Sequence, residues 1–318
     1  MSAVPLQEPL PQHFSHPLSR YWAATRPAFL TLTVVACVLG AALAQFHHAT
    51  DFVLLLWAML GAMLLHAAAN VINDVADAHN GTDSANERRL FPFTGGSRFI
   101  QNQVLTIQQM TLFGGGLLLA ATAIGVYLWW QRGSGVVLWG LIGAGLAWAY
   151  SMPPLRLNSR GFGELCVWLG FALLPMGCAW VAGAPLSPTV LAAGSSFGGL
   201  AMVLLYLNQF PDREADRLAG KRHWVVRLPL AVAAAGYGVL VAIAYAILLS
   251  AILYQILPVW TGLAALPLPL SLFAWQQLLR HAAQPQALRP AIIATLLATH
   301  LSPLLLALGL WLHVFFPI

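Results

Sequence analysis

Asn70-Val-Ile-Asn73-Asp74-Val-Ala-Asp77 and Asn208-Gln-Phe-Pro-Asp212-Arg-Glu-Ala-Asp216 are two polar islands, each placed at the end of a long apolar run. Seven of the chain's ten Asp and Glu residues fall either between Asp74 and Glu87 or between Asp212 and Asp216. Residues three or four apart share a face of a helix, so Asn70, Asp74 and Asp77 project together, as do Asn208, Asp212 and Asp216. Each island reads Asn, then Asp four residues later, then a second Asp, and this echo divides the chain into candidate half-repeats, 29–160 and 161–318.

Around the islands the chain is 59% hydrophobic and only 8% charged over 318 residues, with a mean hydropathy of +0.74, which excludes a soluble globular fold. The expected class is an all-α polytopic membrane protein. The apolar run at 29–46 is too long for the core of a cleavable signal peptide and reads as a retained span, leaving 1–28 as a cytoplasmic N-terminal segment and 29–318 as a single membrane domain. A hydrocarbon core needs about 20 mainly apolar residues. Nine stretches fit: 29–46, 52–73, 108–130, 136–152, 164–183, 188–208, 228–252, 258–279 and 290–316, of which 136–152 is short. Cys37, Cys166 and Cys178 lie in apolar runs without CxxC spacing and read as small packing residues.

With the N-terminus inside, this nine-span plan puts fourteen of the fifteen Lys and Arg residues on the cytoplasmic side and leaves Arg132 alone opposite. The net charge of +5 thus records orientation and gives no reason to expect nucleic-acid binding. Four spans separate the islands, and an even number returns the chain to the side it left. Asp74, Asp77, Asp212 and Asp216 are therefore expected at one cytoplasmic mouth of the bundle, in a cap formed by the loops after the second and sixth spans.

Carboxylates beside a bilayer core cost on the order of 3 kcal/mol each and repel one another, so a cation must offset them. Mg²⁺ suits oxygen ligands and bridges one or two protein carboxylates to substrate phosphate. A phosphorylated substrate is implied. Arg88, Arg89 and Arg98 follow the first island, and Arg213, Arg217, Lys221, Arg222 and Arg227 follow the second, as phosphate-binding bases or as plain topology determinants. Gly95-Gly96-Ser97-Arg98 reads as a loop whose N–H groups and guanidinium approach a phosphate. Gly81, Thr82 and Asp83 read as a turn, Pro211 as a distortion at the end of the sixth span, and Pro153-Pro154 as the end of the fourth.

Taken together these residues resemble the UbiA superfamily of intramembrane aromatic prenyltransferases, and the pattern NxxNDxxDxxxGxD from Asn70 to Asp83 looks most like its MenA branch. The resemblance continues through Arg26-Pro27, Pro92-Phe-Thr-Gly-Gly-Ser-Arg98, Tyr150-Ser-Met-Pro-Pro-Leu-Arg156, Arg160-Gly-Phe-Gly-Glu164 and the stretch from Asn208 to Leu228. It departs at Asp83, which follows Asp77 at a wider interval than in the 4-hydroxybenzoate branch and is not counted among the ligands, and at His223-Trp224 and Pro229.

What the resemblance implies is transfer of a polyprenyl group from its diphosphate to an aromatic acceptor, typically 1,4-dihydroxy-2-naphthoate in this branch, in the inner (cytoplasmic) membrane. It implies two Mg²⁺ held by Asp74 and Asp77 and by Asp212 and Asp216, with Arg26, Arg98, Arg156 and Lys221 on the diphosphate. Asn70, Asn73 and Asn208 would orient phosphate oxygens or metal ligands. Tyr150 would face the allylic cation or the acceptor. Another acceptor, such as 4-hydroxybenzoate or homogentisate, suits the same machinery.

His66, one turn before Asn70, reads as a hydrogen-bonded interior histidine, Glu164 as the partner of an arginine, and His47 and His48 as loop residues. An ion-coupled transporter is the rival from another class, but carriers place their sites near the midplane and these polar groups cluster at one end. A CDP-alcohol phosphotransferase would need a DGxxAR segment, and the chain has none.

Overall fold

The computed structural model describes residues 7–49, 51–81, 83, 86–87 and 89–316. Among these it is built from helices with no strand: α1 Pro17–Ala24, α2 Pro27–Phe46, α3 Phe52–Asn80, α4 Ile107–Arg132, α5 Gly135–Ser151, α6 Gly163–Val181, α7 Pro188–Leu218, α8 Leu230–Leu253, α9 Leu268–His281 and α10 Arg289–Phe315. Single turns at Leu157–Arg160 and Trp224–Arg227 lie in the loops, and a 3-10 segment at Val259–Ala265 leads into α9. Eight helical segments are long and apolar enough to cross a membrane, while the expected span at 136–152 is α5, an apolar helix of 17 residues. The all-helical membrane reading stands.

Helix starts carry local signals. Asp51 accepts from Leu54 N at 3.1 Å at the head of α3, Thr106 and Gln109 form a reciprocal capping box on α4, and Ser187 caps α7 ahead of Pro188. Length then decides where the islands sit. At 1.5 Å per residue, the 29 residues of α3 and 31 of α7 extend roughly 43 and 46 Å, well beyond a core of about 30 Å. Both helices therefore run on past their apolar portions, through the islands, to Asn80 and Leu218.

That continuity corrects the reading of Pro211. The residue removes one backbone donor, but α7 passes through it as helix and continues for two turns, which is what mounts Asp212 and Asp216 on a rigid rod. Pro153 and Pro154 do end a helix, since α5 stops at Ser151 and Met152 is extended.

The core lies along α7, whose apolar window is 78% buried inside the protein, against 11% for α4. Phe197, Leu200, Leu204 and Leu207 of α7 pack with Leu39 and Leu43 of α2, Tyr237 and Leu248 of α8, and Ile292 and Leu306 of α10. In hydrocarbon no hydrophobic force separates helix from lipid, so interhelical hydrogen bonds help to fix the register. Trp168 Nε1 donates to Ser195 O at 2.9 Å, and Tyr237 and Tyr245 bond Thr295 and Ser302. His66 bonds Thr33 Oγ1 at 2.7 Å and meets Phe171 edge-on, an interior histidine as expected. Cys37 and Cys178 are buried free thiols in mutual contact.

At the far end of the bundle Arg132 pairs with Asp51 at 3.2 Å and donates to Val181 O. Asp51 and Asp77 stand twenty-six positions apart along α3, about 39 Å of helix, so this pair and the islands occupy opposite ends.

Candidate active site

α3 and α7 bring their acidic ends together on a single ammonium group. Lys221 Nζ lies 3.1 Å from Asp77 Oδ1 and 3.0 Å from Asp216 Oδ1, with all three side chains about nine-tenths buried. The geometry that puts it there is local. Gly220 takes a left-handed φ of +78° past the end of α7, so the chain turns back and Lys221 N donates to Asp216 O at 2.8 Å.

Further donors, from the same helix or from neighbouring elements, hold the aspartate oxygens. Asp77 also accepts from Asn73 Nδ2 and Asn80 Nδ2, both at 3.1 Å, and Asn73 is itself fixed by Ser151 Oγ at the end of α5, at 2.6 Å. Asp216 Oδ2 accepts from His223 Nε2 at 3.0 Å, while the buried Nδ1 of that ring has no partner among the described residues. Asp74 faces the loop between α3 and α4, taking Ser97 N at 3.3 Å. Asp212 takes Gly95 N at 3.3 Å and Asn86 Nδ2 at 2.6 Å from that same loop. The Gly-Gly-Ser turn thus straps the two islands together. The N–H groups of Gly95 and Ser97 point at carboxylates, where the sequence led us to expect a phosphate.

The other expected residues divide. Arg26, in left-handed conformation ahead of α2, lies over the Phe29 ring at 4.5 Å and within charge range of Asp74 and Asp83. Asn70 donates to Thr25 O at 3.0 Å and so fixes the turn that presents Arg26. Arg98 is buried with its guanidinium on the Asp83 carbonyl and its Nε 4.0 Å from Glu8. Asn208 keeps a buried Oδ1 that no described residue fills. Tyr150, on the last turn of α5, lies within charge range of Lys221, Asp77, Glu164 and Asp216. Arg156 is not brought in: it is exposed, in a left-handed turn, with no side-chain partner among the described residues. Arg88 and Thr82 lie outside the described residues.

Three site residues escape a reading by spacing. Asp83, set aside on its interval, is buried within charge range of Asp77, Asp74 and Lys221. Glu164 pairs with no arginine among the described residues; its partner is Gln209, whose Nε2 donates to Glu164 Oε1 at 3.0 Å. Glu8 accepts from Arg89 Nε at 2.6 Å and from Asn102, laying the N-terminal segment over the α3–α4 loop. The signal for Glu8 was present, because it is the lone acid ahead of the first span in a chain that spends acids sparingly.

Charge in this region is short of cations. Burial alone would depress Lys221, but Asp77 and Asp216 outweigh it and hold the ammonium above the ordinary lysine value. Burial, reinforced by Asp77 and Asp74, pushes the Asp83 carboxyl up to about 8. Unfolded, this group titrates near 3.8, so between about pH 4 and 8 the folded protein holds a proton that the unfolded chain has released. Stability without divalent cation must fall as pH rises through that window. Asp83→Asn flattens this dependence in melts run in chelator from pH 5 to 8.5, whereas a slope equal to wild type would show that Asp83 does not carry it.

Five acids around one lysine leave room for added positive charge. No three His, Cys, Asp or Glu side chains among the described residues form a metal cage on their own. The carboxylate oxygens of the islands are hard donors that suit Mg²⁺, which takes one or two protein carboxylates and completes its shell with phosphate and water. Asp74 and Asp77 would hold one ion, Asp212 and Asp216 another.

Residues 33–296 match the UbiA prenyltransferase family. This chain belongs to that family. It is 28% identical over 297 residues, 90% of this chain and 93% of the relative, to 1,4-dihydroxy-2-naphthoate octaprenyltransferase of Escherichia coli. It is 30% identical over 214 residues, 65% of each chain, to 2-carboxy-1,4-naphthoquinone phytyltransferase of Synechocystis. In fold it is similar to digeranylgeranylglyceryl phosphate synthase, with a TM-score of 0.60 at 15% identity over 92% of this chain and 98% of that one. It is also similar to a UbiA homologue from Archaeoglobus fulgidus bound to DMAPP and Mg²⁺, with a TM-score of 0.55 at 16% identity over 90% and 98%. This UbiA-family protein is a prenyltransferase and a multi-pass membrane protein.

Proposed function

We propose that the protein transfers a polyprenyl group from its diphosphate to 1,4-dihydroxy-2-naphthoate, using Mg²⁺, at the cytoplasmic face of the inner membrane. The observation that carries this reading is the meeting of Asp77 and Asp216, one from each island, at Lys221. Three 1,4-dihydroxy-2-naphthoate octaprenyltransferases among the relatives support the acceptor, and the Mg²⁺ of the A. fulgidus homologue supports the metal.

In this arrangement the four island aspartates and Lys221 surround the diphosphate, and Arg26 and Arg98 stand on its flank. Bound Mg²⁺ would neutralise the negative charge that grows on the leaving diphosphate. Asn73, Asn80 and His223 hold the carboxylates in place so that little reorganisation is needed as the C–O bond breaks. The Tyr150 ring offers its face to the allylic cation. The apolar bundle keeps water from that cation, and burial of the prenyl tail contributes roughly 0.8 kcal/mol per CH₂.

The test is direct. Purified protein in nanodiscs is given a labelled allylic diphosphate with 1,4-dihydroxy-2-naphthoate, 4-hydroxybenzoate or homogentisate, with Mg²⁺ or with chelator. Lipid-soluble product with the naphthoate, lost in chelator, is the expected result. Product with another acceptor alone overturns the naphthoate assignment.

A further inference from the structure

Glu164 is a carboxylate that the diphosphate site does not use. It is 6% exposed on the first turn of α6, and no Lys, Arg or His among the described residues pairs with it. An acid kept unpaired in such a place is expensive, and in a membrane bundle it marks a functional position. Its Oε1 accepts from Gln209 Nε2 at 3.0 Å. Its Oε2 is buried with no partner among the described residues, and so is Gln209 Oε1. Both unfilled atoms are hydrogen-bond acceptors, so the group that completes the site brings donors: a hydroxyl fits, and a phosphate or carboxylate does not.

Position narrows the choice. Gln209 precedes Asp212 and Asp216 by three and seven residues on α7, so it shares their face and lies one turn further into the bundle. Tyr150 closes the other side: a Cβ at Gly163, next to Glu164, would meet the Tyr150 ring at 3.5 Å. Glu164 is also within charge range of Tyr150 and Tyr206. A diphosphate held by the islands leaves its reacting carbon on the bundle side, towards Glu164, Gln209 and the Tyr150 ring.

We propose that Glu164, oriented by Gln209, binds the hydroxyl of the aromatic acceptor and takes its proton during prenyl transfer. The acceptor O–H bond breaks, its proton passes to Glu164 Oε2, and its electron pair stays on oxygen and feeds the ring. A ring carbon forms the new C–C bond to the allylic carbon as that carbon's C–O bond breaks, the pair leaving with the diphosphate oxygen. The ring carbon then sheds its hydrogen as a proton, or its carboxylate as CO₂, that bond's pair restores the aromatic ring, and the oxygen recovers a proton from Glu164. Gln209 donates to Oε1 and leaves Oε2 free to receive the proton. This inference rests on the aromatic prenyltransferase reading above and adds the residue that activates the acceptor.

Glu164→Gln keeps the shape and the Gln209 contact while removing the base. General-base loss typically costs 10²- to 10⁴-fold, so the variant should transfer the prenyl group to a phenolic acceptor about 10²-fold slower or worse. Its Mg²⁺-dependent binding of a prenyl thiodiphosphate and its melting temperature stay at wild-type values. A merely structural role would slow every acceptor alike. A base predicts that a series of dihydroxynaphthalenes of rising hydroxyl acidity progressively rescues Glu164→Gln while wild type changes little. A variant as fast as wild type, or one slowed equally across the series, overturns the proposal and leaves the prenyltransferase reading intact. A wild type that transfers to no acceptor overturns both.

Discussion

Asp74→Asn and Asp212→Asn each lower prenyl transfer by at least about 10²- to 10³-fold, the range expected when one element of preorganised charge stabilisation is removed from a dry site. Folding is preserved for a structural reason. Asp74 is held by Ser97 N, from which an asparagine oxygen still accepts, and an asparagine at 212 keeps one of the two donors, Gly95 N or Asn86 Nδ2, and gives up the other. What is lost is the charge. These two carboxylates meet no ammonium or guanidinium in direct contact among the described residues, unlike Asp77 and Asp216, so of the four proposed ligands they are the two with no protein cation to displace. The check is turnover of a labelled allylic diphosphate, paired with size-exclusion profiles of both variants. Near-normal turnover in both would remove the electrostatic argument.

Lys221→Met has its largest effect on stability, and only when Mg²⁺ is absent. Lys221 is the one ammonium between Asp77 and Asp216, and replacing it leaves two buried carboxylates facing each other. Deleting one partner of a buried ion pair costs about 3 to 5 kcal/mol, because the remaining charge has nothing to offset it. Mg²⁺ bound to the same oxygens substitutes for the lost ammonium, so adding it recovers much of the loss in the variant and changes wild type less. Melting curves in chelator and in millimolar Mg²⁺ measure both effects. A variant as stable as wild type in chelator would mean that the islands repel one another too little to need a cation.

The parts of this site that were legible in the sequence are those governed by helical spacing and by charge against an apolar background. Asp74 and Asp77, and Asp212 and Asp216, stand out because acids are scarce and because an interval of three or four residues places them on one stripe. Tertiary partners decide the rest. Nothing local says that the N–H groups of Gly95 and Ser97 turn inward to aspartates, or that Glu164 finds Gln209 across 45 residues instead of a nearby arginine. Arg156 and Arg98 look alike as motif residues, yet one ends exposed on a turn and the other buried, since Glu8 of the N-terminal segment reaches the α3–α4 loop that carries Arg98. Pro211 reads as a distortion at the end of a span because propensity penalises proline in a helix, and α7 nonetheless continues through it to Leu218. Asp83 is misjudged by counting residues, because the turn at Gly81 brings its carboxyl back towards the end of α3.

The central claim is that aspartates from both islands serve one headgroup. Calorimetric titration of wild type, Asp77→Asn and Asp216→Asn with a non-ionising prenyl thiodiphosphate in the presence of Mg²⁺ tests it most directly. Each single variant, one per island, should lose at least about 1.4 kcal/mol of binding, tenfold in affinity, and chelator should weaken wild-type binding as well. Binding of the thiodiphosphate to Asp216→Asn as tight as to wild type would contradict a shared site.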